Sequence, residues 1–204
     1  RPGGRIDPAQ AAAALVDAVR ARGLDALPWS PRLQQWRERV RCLREWMPEL
    51  GLPDLSDAAL LAGLDDWLAP AYAGKTRLDA LDAEELSRAL KSLLDWPLAR
   101  RVDELAPERI VVPSGQERRI DYASGREPVL AVKLQELFGL AETPRIADGR
   151  VPLTLHLLSP AGRPLQVTRD LRSFWERTWP EVRKEMKGRY PRHPWPEDPW
   201  SAVP

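Results

Sequence analysis

The sequence predicts an α+β chain. A helical, bundle-like region comes first, then a small antiparallel β-barrel, then a helical tail rich in proline and tryptophan. Three observations carry this. From residue 8 to residue 105, apolar side chains recur at spacings of three and four, with Ser, Asp and Pro at the points where helices start. From residue 151 to residue 168 the period changes to two. Beyond residue 168 the chain becomes basic and aromatic and ends among prolines.

In chain order, Pro8 to Arg22 is an Ala-rich helix carrying Leu15, Val16 and Val19, stopped by Gly23. Ser30 caps the next helix, with Pro31 at its first position. Its apolar stripe is Leu33, Trp36, Val40, Leu43 and Met47, with Cys42 off the stripe. Arg32, Arg37, Arg39, Arg41 and Arg44 occupy the other faces and read as a solvated side or, alternatively, as a side turned to phosphates. Ser56 caps a helix with Leu60, Leu61, Leu64, Trp67 and Leu68 inward, running to Pro70. Asp82 caps another, with Glu85 completing a capping box and Leu86, Leu90, Leu93 and Leu94 inward. Leu98, Val102 and Leu105 make a short last helix, ended by Pro107.

Short strands follow. Ile110 to Val112 and Arg118 to Tyr122 flank a turn at Pro113-Ser114-Gly115, and Ser124-Gly125 turns again before the apolar run Val129 to Val132. Leu134, Leu137 and Phe138 suit one helical turn ended by Gly139. Val151 to Thr168 reads as one hairpin. Val151, Leu153, Leu155 and Leu157 share its apolar face with Leu165 and Val167, while Gln166 and Thr168 point the other way. Ser159-Pro160-Ala161-Gly162 forms its turn. Five short strands with one helical turn after the third resemble an OB-like barrel, with a sandwich of similar size as the alternative. In the tail, Leu171, Phe174 and Trp175 begin a helix, and Trp179, Pro180, Val182 and Met186 belong to another that Gly188 ends. The expected segments are 1–50, 51–108, 109–168 and 169–204.

Net charge is only +1 over 204 residues, but it is unevenly spread. Residues 54–108 hold twelve acidic and six basic residues; residues 163–193 hold nine Lys/Arg against four Asp/Glu. That basic segment is the electrostatic hint of a polyanion partner. The single cysteine excludes an intramolecular disulfide and a thiolate metal cluster. No apolar run reaches the ~20 residues a membrane helix needs, so no membrane partner and a cytoplasmic setting are expected. The start Arg1-Pro2-Gly3-Gly4, with no Met and no signal-peptide core, suggests a piece of a longer protein.

Catalytic motifs are missing. Gly74-Lys75-Thr76 ends a false phosphate-loop match, because Ala69 stands where glycine is required and a helix precedes it. His156 and His193 lack partners at ligand spacing and read as ordinary histidines. Asp65-Asp66 and Asp103-Glu104 are helix neighbours that do not face one another. Neither a catalytic nor a metal residue is therefore nominated. A single-strand binding surface of the OB kind combines cations with aromatic platforms. The candidate cations are Arg118, Arg119, Lys133, Arg163, Arg169, Arg172, Lys184, Lys187, Arg189 and Arg192; the candidate platforms are Trp175, Trp179 and Tyr190, with Trp195 beside them.

The stretches DELAPERIVVPSG, PVLAVKLQELFGLAETPRIADGRVPLTLHLLSPAGRPLQVTRDLRSFW and EVRKEMKGRYPRHPWPEDP resemble the C-terminal region of the bacterial HrpB-type ATP-dependent, DExH-box helicases. The likeness runs over roughly residues 50 to 200, and the first 50 look like the end of that family's helicase-associated helices. It implies a parent with two RecA-like motor domains that hydrolyse ATP and unwind RNA or another nucleic acid. ATP and Mg belong to those motor domains, whose motifs do not occur here, so no catalytic residue carries over. The expectation is an accessory module that guides single-stranded nucleic acid, RNA first, without sequence preference. The alternative is a module that docks on the motor domains or on an external protein.

Overall fold

The computed structural model describes residues 7–123 and 127–202 and contains both helix and sheet. The expected turn at Ser124-Gly125 lies outside the described residues. The chain forms two compact units, residues 1–102 and 103–204.

The first unit is helical: α1 (Pro8–Arg22), α2 (Pro31–Trp46), α3 (Asp57–Ala62), α4 (Leu64–Trp67), α5 (Ala83–Lys91) and most of α6 (Trp96–Leu105). Local chemistry sets their starts. Asp7, Ser30 and Ser56 accept from the backbone N–H groups of Ala9, Leu33 and Ala59 at 3.2, 3.1 and 3.2 Å. At α5 the Asp82 carboxylate accepts from Glu85 N at 2.7 Å and Glu85 reaches back to Asp82 N at 3.2 Å. The single helix expected over residues 57–68 is broken into α3 and α4 at Gly63, followed by a 3-10 turn, Ala69–Tyr72. That turn and α4 pack on α1. Half-buried Trp29 and buried Trp67 donate their indole N–H to Leu24 O and Leu60 O at 2.8 and 2.9 Å. Each such bond keeps a polar group from being stranded, at a net gain of about 1 kcal/mol.

Helix α2 corrects the sequence reading in two places. Its stripe of Leu33, Trp36, Val40, Leu43 and Met47 is buried, but so are Cys42 at 2% exposure and Arg39 at 6%. The α2 arginines are not a uniform solvated side. Arg37 Nε donates to Leu55 O at 2.7 Å, its guanidinium pairs with Asp57 at 2.7 Å and it lies 5.3 Å from the Trp29 ring centre. Arg44 Nε donates to Leu52 O at 3.2 Å. A loop laid over this face converts it from a surface into an interior. Hydrophobic periodicity cannot register that, because arginine stems bury readily when the head finds carbonyl oxygens.

The second unit contains β1 (Arg109–Val111), β2 (Glu117–Arg119), β3 (Val129–Lys133), β4 (Arg145–Ile146), β5 (Val151–Pro152), β6 (Thr154–Leu158) and β7 (Pro164–Thr168). β1 pairs antiparallel with β2, β4 with β5, and β3, β6 and β7 form a three-stranded sheet in that order. An isolated Asp121–Val129 bridge ties the chain beyond β2 to β3. None of these sheets closes into a barrel. The antiparallel barrel expectation fails first at β3 and β6, which pair in parallel. A parallel pair needs a long crossover, supplied by the 3-10 turn Leu134–Leu137 and the short β4–β5 pair. The expected single hairpin from Val151 is accordingly two elements: Val151-Pro152 pairs with β4, and only β6–β7 is a hairpin.

Leu153, Leu155 and Leu157 are fully buried, as their alternation requires. On β7 the expected faces are exchanged. His156 pairs with Val167 and Leu157 with Gln166, and a register shift falls between Leu157 and Leu158. Directly opposed residues share a face, and one extra residue flips every side chain beyond it. Val167 therefore stands outward beside His156 at 60% exposure, not among the buried leucines.

The tail completes this unit's core. α7 (Leu171–Ser173) and α8 (Trp179–Arg189) are one helical run interrupted by a π-helical segment, Phe174–Thr178, in which Trp179 N–H reaches Phe174 O. Pro180, which has no N–H and whose ring presses on the preceding turn, accounts for the extra residue in that turn. Gly188 does not end the helix: α8 continues to Arg189, and Tyr190 N–H bonds Met186 O at 2.7 Å. Phe138, Trp175, Trp179 and Trp195 form an aromatic cluster with ring centres 5.3–6.4 Å apart.

Candidate nucleic-acid interface

The candidate residues all lie in the second unit, and strand register sorts them into two ends of the β3–β6–β7 sheet. At one end stand the last residue of β3 and the first of β7. Lys133 pairs with Leu158, which pairs with Pro164, next to Arg163. Two strand spacings put these backbones about 10 Å apart. The β6–β7 turn is closed by Ser159, whose Oγ accepts from Arg163 N at 3.1 Å and lies 3.5 Å from Tyr190 Oη. Tyr190 thus brings the end of α8 to the same place, with Lys187 one helical turn before it and Arg192 two residues after. Arg118 is near too, since it pairs with Glu136, and Glu136 also accepts from Lys133 N at 3.2 Å. The Glu136 carboxylate holds the Arg118 guanidinium firmly protonated through that hydrogen bond.

The opposite end is different. Arg169 follows β7, roughly 20 Å from Arg163 at the rise of an extended strand. It pairs with Glu127 at 3.2 Å, and Glu127 also accepts from Thr154 Oγ1 at 3.2 Å. Arg172 pairs with Glu142 at 2.6 Å. On α8, whose end lies at the Tyr190 end, Lys184 and Arg189 lie 3.7 and 3.9 Å from Glu181 and Glu185. Exposed Arg119 is engaged as well. Among the described residues, Lys133, Arg163, Lys187 and Arg192 have no carboxylate partner. All four attach to the end marked by Tyr190 and Ser159.

Two proposed platforms are corrected by burial. Trp175 and Trp179 are 2% and 1% exposed, and their indole N–H groups donate to Leu140 O and Pro196 O at 2.8 and 3.0 Å. Trp195 is buried and donates to Tyr190 O at 2.8 Å. None has a face left for a base. They hold the tail onto the body instead, which is what a proline-flanked tryptophan does well. Half-buried Tyr190 is the one candidate aromatic that reaches the cations. The outward sheet face beside it carries Ala131, His156 and Val167 in one cross-strand row.

Comparison with known proteins decides the family. Residues 67–199 match the family model described as ATP-dependent helicase C-terminal, that of HrpB. The chain belongs to the HrpB C-terminal family. The chain is 46% identical over 191 residues, 94% of its length, to the ATP-dependent RNA helicase HrpB of Escherichia coli K12. It is also similar to a crystal structure of the E. coli DExH-box NTPase HrpB, with 44% identity and a TM-score of 0.94 over 100% of the chain. A second, of the E. coli DEAH/RHA helicase HrpB, shows 42% identity and a TM-score of 0.81 over 96%. The module spans about a quarter of the length of these relatives: 24% of the curated protein and 25% of each solved chain. No helix among its described residues is long and apolar enough to cross a membrane.

One exposed aromatic of this unit is not among the residues the sequence nominates. Trp200 is 41% exposed, whereas the tryptophans nominated from the basic segment are buried. Its position just past Pro199 is the only signal the sequence offers, and proline-flanked Trp195 gives the same signal with the opposite outcome.

Proposed function

We propose that this module is a single-strand guide for an ATP-dependent helicase, binding RNA through its backbone without sequence preference. The observation that supports the reading is that strand register and the Tyr190–Ser159 contact bring Lys133, Arg163, Lys187 and Arg192, which have no described carboxylate partner, to one end of the sheet, whereas Arg118 and Arg189 at that end and Arg169 and Arg172 at the other are paired with glutamates. Cations without internal partners give counterion release on meeting phosphates, and a tyrosine ring can stack on any base. RNA is favoured because the E. coli relative is named an RNA helicase. In this reading the motor domains of the parent are its partner, ATP and Mg are bound there, and the setting is cytoplasmic. The finer picture of an OB-type groove gives way to the end of an open three-stranded sheet.

The test is fluorescence anisotropy with a labelled oligouridine at low and high salt. Binding should weaken steeply with salt. Lys133→Glu with Arg163→Glu should lower the log–log salt slope by about 0.7 for each lost phosphate contact. Arg169→Glu with Arg172→Glu should change it little. Equal losses from both pairs would refute the assignment to one end.

A further inference from the structure

A cleft of about 210 Å³ opens on the surface of the second unit, lined by Ala141, Arg172, Trp175, Glu176 and Trp200. The proposed RNA surface does not include it. Its wall is built: Gly139 N–H donates to Pro199 O at 2.8 Å, fixing the backbone just before Trp200. Trp175 closes the floor with its N–H already spent on Leu140 O, so the ring adds apolar surface and no unsatisfied donor. Trp200 supplies the exposed aromatic of the site.

Of the two charged residues that line this cleft, the cation is already paired and the carboxylate is not. Arg172, its one lining cation, is held by Glu142 at 2.6 Å. Glu176, exposed on the π-helical segment, has no described cationic partner. Glu197 and Asp198, both exposed, directly precede the Pro199-Trp200 wall. A phosphate or a nucleotide would meet a lining cation that is already paired and a carboxylate that is not. A guanidinium would meet the free Glu176 carboxylate beside an indole ring. Its plane stacks on an indole face, and its fork of N–H groups matches a carboxylate beside that ring.

We propose that this cleft docks an arginine side chain presented by a protein segment, stacked on Trp200 and paired with Glu176. The module thereby carries a protein-docking site on the aromatic side of its tail, separate from the cationic end of its sheet. The arginine reading depends only on the cleft and its charges, so it stands or falls independently of RNA binding.

The experiment is a titration of the 15N-labelled chain, following the indole N–H resonance of Trp200, assigned by its loss in Trp200→Phe. The probes are the capped peptides Gly-Arg-Gly and Gly-citrulline-Gly, and uridine monophosphate. The arginine peptide should shift this resonance saturably in the millimolar range. The neutral citrulline isostere should bind at least about tenfold more weakly, and uridine monophosphate should not saturate. Glu176→Gln, a change at an exposed position that leaves the fold intact, should weaken the arginine peptide by about tenfold, the order expected for a charge-assisted contact. Equal shifts from arginine and citrulline, or saturation by uridine monophosphate in preference to arginine, would overturn the proposal.

Discussion

Replacing Trp179 separates a structural tryptophan from a base-stacking one. Trp179 is 1% exposed, and its ring lies 5.3, 5.7 and 6.2 Å from those of Trp175, Phe138 and Trp195. Its Nε1–H donates to Pro196 O at 3.0 Å, across sixteen intervening residues of helix and tail. Trp179→Phe keeps much of the aromatic packing but deletes that donor and leaves a small void. The lost hydrogen bond costs about 1 kcal/mol and the missing ring atoms about as much again, so a loss of roughly 2 kcal/mol is expected. Trp179→Ala should cost roughly 3–5 kcal/mol, a large part of the stability of a domain this size. The assay is urea unfolding followed by far-UV circular dichroism, paired with oligouridine anisotropy at a temperature where each variant stays folded. Trp179→Phe should shift the midpoint and leave affinity within about twofold. A variant of unchanged stability that no longer binds RNA would refute the core assignment and restore Trp179 as a platform.

Further outcomes follow from the geometry. Val167 stands outward because of the register shift in the β6–β7 hairpin, so Val167→Thr should change stability by less than about 0.5 kcal/mol, while Leu157→Ala on the buried face should cost roughly 2–5 kcal/mol by the same urea assay; equal costs would mean that the two residues share a face. Burial pushes the Cys42 thiol up from 9.0 to about 11 against the opposing pull of Arg41, so it should resist a disulfide reagent at pH 8 until denaturant is added. The same shift has a pH signature. Unfolded chains ionise this thiol from about pH 9 while the folded chain holds it neutral, so its contribution is level below pH 9 and is lost between about pH 9 and 11, on the order of 2 kcal/mol. Cys42→Ala should flatten that part of the stability profile, measured as the difference between the two proteins. At low pH the Glu85 carboxylate matters instead: its pKa is lowered, first by the hydrogen bond from Lys75 and then by Asp82 N–H, so its support for α5 is present at neutral pH and fades as pH falls through the acidic range. Glu85→Gln should shrink the acid-induced loss of stability.

What the sequence determined by itself is what depends on neighbours along the chain. Ser30-Pro31 and the Asp82–Glu85 box mark α2 and α5 to the residue, because capping is settled within one turn. The buried alternation through Leu153, Leu155 and Leu157 is equally local, and the family likeness rests on residue order alone. Tertiary structure decided whatever depends on which distant segment arrives. The parallel pairing of β3 with β6 replaced a barrel by an open sheet, since strand partners are chosen by crossover and not by composition. One register shift turned Val167 outward. The loop after α2 supplied carbonyl partners to Arg37 and Arg44, Arg39 and Cys42 became buried, and Trp175 and Trp179 packed into the core of the tail while Tyr190 stayed half-buried and Trp200 exposed. Charge followed the same rule: basic residues look alike in one dimension, and only folding placed glutamates against some of them and, among the described residues, none against Lys133, Arg163, Lys187 and Arg192.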